Sequence, residues 1–168
     1  MIKFTLGAPL QSWGNQDVRG DYFPTDTKPT KSCVVGLIAC ALGLERGNPL
    51  IGELYDELVI EVEPVNWGTI LTDYHIIEAN ENRRIYMANG RNTGDRAATV
   101  GMVTYRSYIQ NGEFNVFVDG EEDVLADIVE AFNHPYWTPY LGRKSCVVSQ
   151  PIRAVACHEL PENRIRLK

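Results

Sequence analysis

The run from Lys31 to Leu44 restricts this chain most. Val34-Val35-Gly36-Leu37-Ile38-Ala39-Cys40-Ala41-Leu42 is apolar almost all round, and a helix apolar on every side has to be buried on every side. Pro29-Thr30 reads as its start, and Gly43 or Gly47 as its end. The chain has 168 residues, enough for one compact domain or one with a small appendage, and too few for two. The helix is too short and too interrupted, by Gly36 and Gly43, to span a bilayer, which takes about 18 apolar residues. The N-terminus Met-Ile-Lys-Phe-Thr-Leu-Gly lacks a signal-peptide layout. A cytoplasmic protein with no membrane contact is expected.

The surroundings of that helix are β-rich. Ile2–Leu6 alternates apolar and polar residues and reads as a first strand. Residues 11–28 read as a long polar loop. A short helix completes at Leu54–Leu58, followed by strands over Leu58–Val62, stopped by Pro64, and over Thr69–Ile77. Residues 80–99 hold many Asn, Arg and Gly with almost no apolar periodicity, so an exposed excursion is expected. Strands over 99–110 and 113–118 flank Asn111-Gly112, a strong hairpin-turn signal. An amphipathic helix with Val124, Leu125, Ile128, Val129 and Phe132 ends at Pro135, and Cys146–Cys157 reads as a closing strand or strand pair. The order predicts an α+β fold: a ferredoxin-like or RRM-like antiparallel sheet with two helices on one face. Such a fold hosts many functions and decides none.

Chemistry by cofactor or metal is not signalled. The four cysteines (Cys33, Cys40, Cys146, Cys157) include no CxxC pair, and there are three histidines, so no metal and no cofactor are expected and the thiols fit packing sites in a reducing compartment. The net charge of −6 argues against a general affinity for polyanions. The total conceals a division, however. Residues 45–63 and 119–130 each hold six acids; outside them stand 15 basic and 10 acidic residues. Aromatics interleave with those bases: Trp13 and Tyr22 near Arg19, Tyr105 and Tyr108 around Arg106, Tyr140 beside Arg143-Lys144. Cations hold phosphates and exposed rings stack on unpaired bases; a solvated surface is the plainer reading of each run.

Five segments carry a resemblance: Leu10-Gln11-Ser12-Trp13-Gly14; Pro29-Thr30-Lys31-Ser32 ahead of the buried helix; Asp73-Tyr74-His75; Tyr105-Arg106-Ser107-Tyr108; and Pro139-Tyr140-Leu141-Gly142-Arg143-Lys144-Ser145-Cys146. In this order, over about residues 1–152, the chain resembles the CasD-type subunits (RAMP superfamily) of the type I-E CRISPR Cascade complex. The resemblance implies a non-catalytic RNA-binding subunit of antiviral defence. It would cap the 5′ handle of the CRISPR RNA and seat the Cascade backbone and large subunits, with target DNA contacted only by the assembled complex. It implies one domain over 1–160, with residues 80–104 as a projecting thumb and 161–168 as a basic tail. The C-terminal region is short beside many relatives, so a further module, fused or supplied separately, stays open.

The residues expected at RNA are Gln11, Trp13, Arg19, Lys28, Thr30, Lys31 and Ser32, the excursion arginines Arg83, Arg84, Arg91 and Arg96, then Tyr105, Arg106, Tyr140, Gly142, Arg143, Lys144 and Ser145. Thr30, Lys31 and Ser32 at a helix start make a phosphate site or an ordinary N-cap. Gly142-Arg143-Lys144-Ser145 is a glycine loop open to RNA backbone or a tight turn. Trp13 is a stacking residue or a core anchor. His75 alone invites an enzymatic alternative, a metal-independent endoribonuclease acting on precursor RNA; a domain that binds only proteins through its acidic faces is a third reading.

Overall fold

The structure, a computed structural model, describes residues 1–14, 17, 20–77 and 102–168. In chain order the elements are β1 (Ile2–Gly7), β2 (Leu10–Gln11), β3 (Tyr22–Phe23), α1 (Lys31–Leu42), α2 (Pro49–Glu57), β4 (Val59–Asn66), β5 (Thr69–Ile77), β6 (Met102–Gln110), β7 (Glu113–Asp119), α3 (Glu122–Asn133), β8 (Val155–Ala156) and β9 (Ile165–Arg166). The first sheet runs β8-β1-β7-β4-β9, with each pair antiparallel. β1, α1, β4, β7, α3 and β8 thus follow the ferredoxin-like order expected from the sequence.

Alternation in β1, β4 and β7 buries one face: Phe4, Leu6, Ile60, Val62, Phe114, Val116 and Val118 are all inaccessible or nearly so. Val34, Val35, Leu37, Ile38 and Ala41 of α1 and Leu125, Ile128 and Phe132 of α3 close over it; the Phe4 and Phe132 rings meet at 4.9 Å. α1 is less enclosed than its composition suggests, because Ser32 and Gly36 lie on an exposed stripe. It stops at Gly43, whose left-handed φ of 75° lets its N–H reach the Cys40 carbonyl.

The second sheet is the first one's ribbon prolonged. β4 continues through Trp67-Gly68 into β5, and β6 through Asn111-Gly112 into β7, so β5 and β6 pair antiparallel from Thr69↔Gln110 to Ile77↔Met102. β2 and the parallel β3 line the other edge of β6. Gly68, at φ 66°, cannot carry a side chain: a Cβ there would overlap the Gln110 carbonyl oxygen.

Several expectations need correction. The short helix expected to complete at Leu54–Leu58 is α2, which ends at Glu57 and is capped by Asn48, whose side chain accepts from the Leu50 N–H. Pro64 does not stop β4; the strand continues to Asn66 past a register irregularity, and β9 pairs only at Glu61 and Val62, so the missing N–H is tolerated. Residues 146–157 form no long strand; β8 is two residues. Residues 11–28 include β3 and part of β2. Residues 161–168 are not a free tail: β9 pairs with β4 and Leu167 is buried. Of the 80–104 excursion only 102–104 are described, and they belong to β6. No helix among the described residues is long and apolar enough to cross a membrane.

Candidate nucleic-acid interface

The five sequence segments, scattered from residue 10 to 146, meet in one region. The first is a clip. Gln11 is fully buried and donates its side-chain amide to the Gly112 carbonyl. The Ser12 N–H donates to the Leu141 carbonyl at 3.0 Å, the Trp13 N–H to the Thr25 hydroxyl at 2.8 Å, and the Gly14 N–H to the Cys33 sulfur at 3.3 Å. Four successive residues therefore tie together the hinge of the second sheet, the 140–146 loop, residues 25–26 and the start of α1. Gln11 and Trp13, expected at RNA, lie inside the protein instead; Trp13 is 2% exposed and belongs to the core. Its ring is not offered for stacking.

Gly142 is also structural. Its φ is 93°, and a Cβ would fall on the Ser12 carbonyl oxygen. The glycine is required by close approach of protein backbone, not of RNA backbone. Arg143, expected at RNA, is also engaged within the protein. Its two terminal nitrogens donate to the Phe23 carbonyl at 3.0 Å and the Ser107 carbonyl at 3.1 Å, and its guanidinium lies 4.6 Å from the Tyr108 ring centroid. This fork staples β3 onto β6. Lys144 and Ser145, next in sequence, are exposed. Burial pushes the neighbouring Cys146 thiol above its usual range, partly opposed by hydrogen bonds from the Arg143 and Ser145 side and by the Arg143 charge.

The α1 start is open. Thr30 is the N-cap residue but makes no side-chain cap, its hydroxyl lying 3.3 Å from that of Ser32. First-turn N–H groups are therefore left without a side-chain acceptor. The Lys31 ammonium sits 4.7 Å from the Tyr55 ring centroid, and Lys28 is half-buried. A groove of about 220 Å³, lined by Cys33, Gly36, Leu37, Cys40, Tyr140 and Gly142, joins this helix face to the 140–146 loop.

On the second sheet, Arg106 lies opposite Asp73 and its guanidinium is 5.8 Å from the Phe23 ring centroid. His75 Nε2 contacts the Asp73 carboxylate, two residues away on the same strand face. Tyr105 is exposed and meets Tyr74 edge-on at 5.4 Å. Tyr74 and Ser107 stand in the resembling segments but not among the residues expected at RNA, and Phe23 stands in neither; their roles depend on the β5–β6 and β3–β6 registers. Arg19, Arg83, Arg84, Arg91 and Arg96 lie outside the described residues. No cluster of metal-ligating side chains occurs among the described residues.

The family model described as "CRISPR-associated protein (Cas_Cas5)" matches residues 1–164. The chain belongs to that family. Among curated relatives, the CRISPR system Cascade subunit CasD of Escherichia coli (strain K12) is 29% identical over 166 residues, covering 90% of this chain and 69% of that protein. Among solved structures, a chain of a "CRISPR RNA-guided surveillance complex" is 33% identical with a TM-score of 0.75, over 90% of this chain and 61% of that one. A "Cas protein" crystal structure is 27% identical with a TM-score of 0.64, over 96% of this chain and 63% of that one. The chain thus spans somewhat over three-fifths of the length of those two solved relatives. The CasD-type resemblance read from the five segments holds, and in this chain the first and last of those segments are joints of the fold.

Proposed function

We propose that this chain is a non-catalytic, RNA-binding subunit of a CRISPR surveillance complex. It holds the 5′ handle of the CRISPR RNA and seats the backbone and large subunits in the cytoplasm. The likeness over 90% of its length to a chain of an RNA-guided complex carries this reading. The geometry supports it in two places. The uncapped α1 start, with Lys31 and the Thr30 and Ser32 hydroxyls, suits a phosphate. Lys144 is exposed two residues beyond Gly142, which lines the groove beside that helix. Arg143 serves the fold rather than the phosphate.

Filter binding tests the reading. RNA bearing the repeat-derived handle should bind in preference to a scrambled sequence, and Lys31→Ala and Lys144→Ala should weaken it. Equal affinity for both RNAs, indifferent to these changes, rejects handle recognition. Precursor repeat RNA incubated with the protein in EDTA should stay intact; cleavage abolished by His75→Ala would establish the endoribonuclease instead.

A further inference from the structure

Three tyrosines form a row across the second sheet. Tyr74 of β5 stands directly opposite Tyr105 of β6, and Tyr22 of β3 stands opposite Tyr105 on its other side. Directly paired residues share a face, so the three rings project together from adjacent strands about 4.8 Å apart. They are 54%, 45% and 42% exposed. The row is also held in place. The Tyr22 and Ser107 hydroxyls are hydrogen-bonded at 3.0 Å, and Ser107 is bonded to the Thr72 hydroxyl at 3.1 Å. The two-residue strand carrying Tyr22 is fixed to β6 by the Tyr105 N–H to Asp21 carbonyl bond and by the Arg143 fork.

We infer that this row is a stacking platform for unpaired bases of single-stranded RNA, an inference that rests on the RNA-binding reading above. Rings preset by the fold lose little freedom when a base lies on them. Stacking is tolerant of sequence, because every base has a π face. Charge favours RNA over other occupants. The two acid-rich windows fall on α2, β4 and the β7–α3 end, whereas β2, β3, β5 and β6 carry one acid, Asp73, opposite one base, Arg106. A polyanion is repelled from the acidic elements and meets a neutral aromatic face here. The hydroxyl tips of Tyr74 and Tyr105 suit a wet, partly polar ligand better than a dry protein core does.

The test uses the full chain, a 4-thiouridine-containing single-stranded oligouridine and a blunt RNA duplex. Tyr74→Leu and Tyr105→Leu should each weaken the single strand on the order of tenfold, Tyr74→Phe and Tyr105→Phe should bind within about twofold of wild type, and photocrosslinks should map to β5 and β6. Thermal midpoints check that the exposed substitutions leave the fold intact. Leucine variants that bind like wild type, or crosslinks confined to the α1 start and Lys144, overturn the platform while leaving RNA binding in place. Absence of RNA binding by the wild-type chain overturns both. Leucine variants that keep RNA affinity but lose assembly with a partner protein reassign the row to protein and also overturn it.

Discussion

Replacing Arg143 with alanine removes two charge-assisted hydrogen bonds to backbone carbonyls and one ring contact. A hydrogen bond to a charged donor contributes about 1.5–3 kcal/mol net, and an exposed cation–π contact about 0.5–1 kcal/mol. Arg143 is only half-buried, so water replaces part of what is lost and the expected cost is roughly 2–4 kcal/mol. For a chain of this size that is about 4–16 °C in thermal midpoint. Urea titration followed by circular dichroism measures it, with the exposed neighbour Lys144→Ala as control, expected within about 0.5 kcal/mol of wild type. Arg143→Lys keeps the charge but not the fork, and should fall between. RNA binding supplies a second readout. A residue that contacts phosphate contributes about 0.7 to the salt slope for a single strand. Arg143→Ala should lower affinity by loosening β3 yet leave that slope unchanged. Wild-type stability together with a reduced slope would falsify the staple and restore Arg143 as a phosphate ligand.

Gly142→Ala should cost more than any surface change, on the order of 4 kcal/mol or above, because its Cβ collides with the Ser12 carbonyl; soluble yield and thermal midpoint report it, and a midpoint near wild type refutes the contact. Lys144→Ala should shift the salt slope of handle binding by about 0.7 with unchanged stability, read by filter binding across a salt series. Cys40 and Cys146 are both raised by burial. The folded state disfavours their thiolates, so stability should be steady below the unfolded thiol range, about 8.5, and fall as pH rises through it, as urea midpoints between pH 7 and 10 would show. At pH 8 the native protein should label slowly with iodoacetamide at these two positions, and rapid labelling counts against their burial.

Local signals carried the fold a long way. The helix of residues 31–42 and the strand at Thr69–Ile77 stand where periodicity places them; the expected hairpin at Asn111-Gly112 does not form, because β6 runs on through it into β7 and the two pair with other strands, β6 with β5 and β7 with β1 and β4. β3 and β8 were illegible because two residues hold no period; only their partners define them. The interface was harder. Arg143 reads as a cation beside a glycine, which suits a phosphate equally well, and its acceptors at Phe23 and Ser107 are far away in sequence. Trp13 among polar residues looks exposed until the core closes over it. The tyrosine row depends on two registers that no single strand encodes.

The position of β1 bears on how the molecule comes to exist. Ile2 pairs with Val118 on one side and Ala156 on the other, so β1, once made, has no partner until β7 has followed. At typical synthesis rates that interval is on the order of ten seconds. Closing so long a loop is slow by topology alone. Meanwhile Ile2, Phe4 and Leu6 stand unshielded, the kind of apolar edge that pairs with other chains. Soluble yield in cells should therefore respond to translation speed and to holding chaperones, and polar substitutions within β1 should trade aggregation during synthesis against stability afterwards.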